Sequence, residues 1–219
     1  MMTIIGRANL GLFLIAVVAG CSTFDGRKQV KRFEESTALF HQAAVQKSAY
    51  NELEFTSLSS EGQKILIDGS GERMLFAHGP SFYSAHRLPQ QEPSARYQLS
   101  IISELGPGDF IPASLMFYPY VTALDGDYEI IESVPLEAER YQTKFWGGSG
   151  VLWLYDIPDR TEFIIFHTSE EVFGKTYPVR GNSSGSMAGN IVVYTEGGTF
   201  QVPFAATGTL FVEIETKQP

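Results

Sequence analysis

Apolar residues follow three different rhythms along this chain. Leu10 to Val18 is an unbroken apolar run with small residues behind it. Between Arg27 and Tyr50 the apolar positions Val30, Phe33, Thr37, Phe40 and Ala44 fall three or four apart with charges between them, which predicts one amphipathic helix laid against a folded domain. From Leu53 onward the period becomes two. Tyr97, Leu99 and Ile101 alternate with Arg96, Gln98 and Ser100, as in a half-buried strand. Val151 to Tyr155 and Phe163 to Phe166 are apolar on both faces, as strands are that are covered on both sides.

Turn signals separate these runs: Asp68-Gly69-Ser70-Gly71, Gly106-Pro107-Gly108-Asp109, Asp125-Gly126-Asp127, Gly197-Gly198 and Thr207-Gly208. Asp125-Gly126-Asp127 reads as a hairpin turn between 118–123 and 128–133. The segments 190–196, 199–205 and 209–215, joined by two- or three-residue turns, predict a closing three-stranded meander. Ser169 can cap a short helix over Glu170 to Phe173 that Gly174 stops, and Pro135 can open another through Leu136 to Phe145. The Gly- and Ser-rich stretch 181–189 reads as a flexible loop. About ten strands in one domain predict a mainly β protein: an antiparallel β-sandwich, jelly-roll-like, preceded by the one amphipathic helix.

The N-terminal run has a separate meaning. Arg7, the apolar stretch and then Val18-Ala19-Gly20-Cys21 have the order of a secretory signal, and the stretch is too short for a permanent bilayer span. The pattern resembles the lipobox of bacterial lipoproteins, which implies cleavage before Cys21 and lipid on its thiol. The same resemblance implies that Ser22, standing where Asp would retain the protein in the inner membrane, sends it to the periplasmic face of the outer membrane. The expected organisation is a signal peptide over 1–20, a tether over 21–26, the helix over 27–50 and the sandwich over 51–219. Cys21 is the single cysteine, so no intramolecular disulfide can form and the core must supply stability.

Charge narrows the partners. The chain carries −9, and loss of Arg7 with the signal leaves 15 basic residues against 25 acidic ones, −10. Such a surface repels phosphate backbones and argues against nucleic acid. Arg27, Lys28, Lys31 and Arg32, just after the tether, are placed to meet anionic headgroups.

No catalytic constellation emerges. Gly181-Asn182-Ser183-Ser184-Gly185 fits G-x-S-x-G, but a nucleophile elbow needs a buried strand before the serine and a helix after it, and Pro178 and Ser186-Met187-Ala188-Gly189 suit neither. His41, His78, His86 and His167 lack metal-ligand spacing, and Asp125-Gly126-Asp127 lacks the third acid and the closing Glu of a calcium loop. No catalytic residue, metal or cofactor is therefore expected. Phe117, Tyr118, Tyr120, Tyr141, Trp146, Trp153 and Tyr155 cluster in mid-chain and suit a core between two sheets. Trp146, beside Gly147-Gly148, and Tyr118 and Tyr120, flanking Pro119, are the candidates for an exposed surface that stacks on a sugar or meets a partner.

Several segments in order resemble the maltose operon periplasmic protein family: 43–58 with Leu53-Glu54-Phe55, Tyr97 through Glu104, Phe110-Ile111-Pro112-Ala113, and Phe163 through Glu170. The resemblance spans roughly 40 to 180. It implies a non-enzymatic periplasmic accessory of carbohydrate uptake, of the maltose or maltodextrin type, that binds an oligosaccharide or a sugar porin. The alternatives are an envelope assembly or structural lipoprotein without a sugar ligand, and a carbohydrate-active or esterase-like enzyme. The lipobox departs from the soluble form of that family, and the family supplies no catalytic residues.

Overall fold

A computed structural model describes residues 27–90, 92, 95–105, 114–143, 149–180, 184–188, 191–195 and 198–217. The signal, Cys21 and the tether lie outside the described residues. Helix α1 runs over 27–42, and no described helix is long and apolar enough to cross a membrane. It is shorter than the periodicity predicts. Ala43 and Ala44 leave the helix and a strand, β1 (Val45–Lys47), follows, because the chain there pairs with the sheet below it.

The rest is strand. The first large sheet holds β1, β2 (Thr56–Ser57), β4 (Arg73–Phe76), β5 (Gly79–Arg87), β8 (Tyr120–Leu124), β9 (Ile130–Pro135) and β12 (Phe163–His167), in the order β1-β4-β5-β12-β8-β9 with β2 on β5. The second holds β3 (Gln63–Ile67), β6 (Arg96–Glu104), β10 (Ala138–Thr143), β11 (Ser149–Asp156) and β17 (Gly208–Lys217), in the order β10-β11-β6-β17-β3. Hairpins β4–β5, β8–β9 and β10–β11 alternate with crossings from one sheet to the other, and the two sheets face each other as a β-sandwich. Pairing within the large sheets is antiparallel except where β1 meets β4 and β2 meets β5.

Between the sheets lies the main core. Phe82, Val121, Ala123, Ile164 and Phe166 come from the first sheet, and Ile65, Leu99, Ile101, Val151, Trp153 and Leu210 from the second. The first sheet is also covered on its outer face. Leu53, from the segment between β1 and β2, packs with Met74, Phe76, Ala85, Phe163 and Ile165 in a second cluster, with Tyr50 and Phe55 against it. That double cover explains why β8 and β12 are buried at every position, as their continuous apolar runs require.

Four local expectations fail or hold for identifiable reasons. The meander does not form. β15 (Ile191–Thr195) pairs with β14 (Ser184–Ala188), β16 (Thr199–Ala205) pairs with β13 (Thr176–Arg180) and β7 (Met116–Phe117), and β17 inserts between β6 and β3. Short turns make pairing of neighbours possible, but the full ladder of β17 against β6 and β3 offers more partners. Of the segment expected as a helix, Ala138–Thr143 forms β10 instead, since its backbone completes the edge of the second sheet. Ser184–Ala188, expected as loop, is strand β14. Ser169 does cap a short 3-10 turn, Glu170–Val172, its hydroxyl accepting from the Glu171 N–H, and Gly174 follows at φ +76.

α1 closes one end of the sandwich. Phe40, fully buried, packs edge-on to Phe82 at 5.8 Å and Phe173 at 4.9 Å, and the Arg73 guanidinium lies 4.7 Å from its ring centroid. Arg73 also donates to the Ala43 carbonyl. Ser36 meets Thr207 hydroxyl to hydroxyl at 3.1 Å, and Gln29 Nε2 donates to the Ser114 carbonyl at 2.9 Å. The opposite end, where β5 and β8 finish and β12 begins in mutual register, carries no helix among the described residues.

Candidate functional site

At that opposite end three connections converge: the chain leaving β5, the β8–β9 turn and the β11–β12 connection. They enclose a basin of about 1130 Å3. Arg87, Gln90, Asp125, Asp127, Arg160 and Glu162 are among its walls. Its five acidic residues (Glu92, Asp125, Asp127, Asp159, Glu162) against two arginines (Arg87, Arg160) make it net negative.

Backbone bonds hold the rim. Leu88 N–H donates to the Glu162 carbonyl and Glu162 N–H to the Leu124 carbonyl, both at 2.9 Å. The turn itself is an Asx arrangement: Asp125 Oδ1 accepts the N–H groups of Asp127 and Glu129, each at 3.0 Å. Arg160 Nη2 donates to Asp125 Oδ2 at 2.9 Å. The Glu129 N–H, joined by those of Asp127 and by Arg160, holds the Asp125 carboxyl below the usual carboxylate range. Tyr128 and Arg160 both take positive φ, 64° and 67°, in the left-handed region. Glu162 lies over Gly126, its Oε1 2.7 Å from where a Cβ would stand, so a side chain there would displace the Glu162 carboxylate. On the outer face of the first sheet, behind the rim, Tyr128 stacks on Phe163 (4.9 Å, 16°), Phe55 lies 4.5 Å from Phe163, and Arg87 covers the same ring at 5.2 Å.

A wall of carboxylates and guanidiniums can accept and donate hydrogen bonds to hydroxyl groups. Its sign disfavours phosphate and other anions.

Tyr118 and Tyr120, two of the sequence-predicted contacts, are not at this site. Trp146 lies outside the described residues. Tyr120 is 6% exposed, and Tyr118 is half-buried with its ring edge-on to Trp153 (5.0 Å) and Phe204 (4.8 Å) and its hydroxyl donating to the Leu136 carbonyl. The two tyrosines are walls of the core, as are Phe117, Trp153 and Tyr155, so the expected exposed platform is corrected at both described positions. Alternation decided this: Pro119 does not turn the chain outward, because Leu136 N–H bonds the Pro119 carbonyl and ties 118–120 to the edge of β9.

The histidines with buried rings are engaged. His167 Nδ1 faces the Thr168 carbonyl at 3.2 Å and so carries the proton; Nε2 accepts from Thr122, whose oxygen in turn accepts from Ser133. Its ring lies flat on Phe76 at 3.8 Å, and burial pushes its pKa down to about 3. His86 bonds Thr56 through Nδ1 at 2.9 Å and Ser84 through Nε2 at 2.8 Å, and burial lowers its pKa to about 4. Ser183 lies outside the described residues, but β14 begins at Ser184, where a nucleophile elbow requires a helix. Among the described residues no three His, Cys, Asp or Glu side chains gather as a metal-ligating set.

The basin escaped the sequence reading. Its turns, Asp125-Gly126-Asp127 and Asp159-Arg160, are visible as turns, but nothing local says that they share one end of a sandwich. No protein-family model, no curated protein and no solved structure matches this chain.

Proposed function

We propose that this protein is a non-catalytic lipoprotein accessory of carbohydrate uptake, of the maltose or maltodextrin type, anchored through Cys21 to the periplasmic face of the outer membrane. Its basin binds a neutral polyhydroxylated ligand, an oligosaccharide presented free or at a sugar porin. The observation that supports this best is the polar, rigid basin at the end of the sandwich away from α1. Carboxylates and guanidiniums on a preset frame are the groups that engage vicinal hydroxyls, and loops on a β scaffold are where such sites sit. The basin replaces Tyr118 and Tyr120 as the contact surface. The lipobox pattern and the resemblance of 43–58, 97–104, 110–113 and 163–170 to the maltose operon periplasmic proteins support the location and the ligand class.

Calorimetric titration of the mature protein with maltodextrins of increasing length tests the reading. Binding should appear in the wild type and weaken by roughly 1–3 kcal/mol in Arg87→Ala and Asp127→Ala, as for truncated interface residues. An absence of heat across the series, together with no porin crosslinked through basin residues in intact envelopes, would overturn it in favour of an envelope assembly role.

A further inference from the structure

Four of the chain's sixteen basic residues fall within six positions, Arg27, Lys28, Lys31 and Arg32, with no acid among them. In the fold they occupy the first turns of α1. Cations there oppose the helix dipole, which favours acids at that end, so helix stability does not explain them. Nor does packing. The face that holds α1 to the sandwich consists of Gln29, Phe33, Ser36 and Phe40, while Arg27, Lys28, Val30 and Lys31 are exposed. Lys31 does reach Glu35 at 3.6 Å, but both ends of that pair are well exposed and such a pair binds weakly. The remainder of the molecule is strongly acidic, so this cluster stands out in sign as well as in density.

We propose that the first turns of α1 are a membrane-docking surface whose partner is an anionic phospholipid bilayer. The charge is complementary to acidic headgroups, and Val30, 55% exposed among the cations, adds an apolar contact at the interface. The chain length agrees: only 21–26 separate the helix from Cys21, so these cations lie within a few residues of the bilayer to which that cysteine would be joined. The lipid on Cys21 rests on the proposed function; the electrostatic contact does not require it. Docking through this face fixes the orientation of the domain. α1 and the end it closes face the bilayer, and the basin, at the far end of β5 from them, faces outward.

The test uses the mature chain carrying Cys21→Ser, so that no acyl group contributes. It should sediment with vesicles of phosphatidylcholine containing one-third phosphatidylglycerol and not with phosphatidylcholine alone. Arg27→Glu/Lys28→Glu/Lys31→Glu should weaken that binding at least about tenfold, since each cation near the surface contributes separately. Lys64→Glu/Lys175→Glu/Arg180→Glu, the same change in net charge placed elsewhere, should retain it. In the same background a polarity-sensitive dye on Val30→Cys should be quenched by spin-labelled lipid, and one on Asp127→Cys should not. Equal binding to neutral vesicles, equal loss in the two triple variants, or equal quenching at the two sites would each overturn the proposal. Failure of Cys21 to take up labelled palmitate would instead strike the anchor reading and leave this contact standing.

Discussion

The two ends of the sandwich meet the same problem with opposite means. At each, strands stop and the space between the sheets must be closed to water. At one end α1 does this with rings: Phe40 is wedged against Phe82 and Phe173, with a guanidinium over it, and hydroxyl and amide contacts fasten the helix around them. At the other, closure comes from backbone bonds between loops, leaving a polar hollow, while the Phe55, Tyr128 and Phe163 stack braces the outer face of the first sheet. An apolar plug contributes stability and leaves nothing to bind. A stitched polar rim contributes little by itself but keeps a concave surface open.

Acid should give the largest effect, and it shows which end yields first. His167 sits toward the helix end and His86 toward the basin, with folded pKa values near 3 and 4 against an ordinary 6.5. Because both values are depressed, the unfolded chain takes up protons first as pH falls. Stability is full above about pH 6.5 and drops by roughly 1.4 kcal/mol per pH unit for each histidine until its folded value is reached. Urea melts at pH 7, 6 and 5 measure the slope, and His167→Gln should remove about half of it; a flat profile would show that neither ring is held neutral. Phe40→Ala comes next and should cost about 3–5 kcal/mol, the range for emptying a buried aromatic site. Hydrogen exchange in that variant should rise around 168–174 before it rises around the basin. Ser36→Ala, which strands the Thr207 hydroxyl, should cost about 1 kcal/mol in the same melts. Arg160→Ala should change the melting temperature least of the four, because its partner bond is largely solvent-screened. A loss comparable to that of Phe40→Ala would erase the contrast between the two ends.

Much of the frame was legible in the sequence because it is local. Period-two and continuous apolar runs marked β6, β11 and β12 to within a residue or two, the Asp125-Gly126-Asp127 turn was marked by its Asp-Gly pair, and Ser169 and Gly174 bounded the short 3-10 turn. What failed was non-local. The meander segments are strands as predicted over 199–205 and 209–215, yet strand partners come from 63–67, 96–104, 116–117 and 176–180, which no short-range pattern specifies. Ala138 to Thr143 carries good helix formers and became an edge strand because β11 supplied a ladder, a tertiary gain that outweighs propensity. Tyr118 and Tyr120 looked exposed because they neighbour a proline. The basin stayed invisible because it exists only where three separate connections meet.

The strap between α1 and β3 has a mechanical meaning. β1 lies parallel to β4, and β2 parallel to β5, while α1 precedes both in the chain. A pull applied at the N-terminus is taken up first by the contacts of Gln29, Phe33 and Ser36, then by the seating of Phe40, and then by β1. Because β1 points along β4 in the same direction, load directed along the strand strains its ladder bonds together in shear instead of opening them one after another. A domain hung from its N-terminus would thus meet tension first at its helix, with the outward-facing loops still unloaded behind the body of the sandwich.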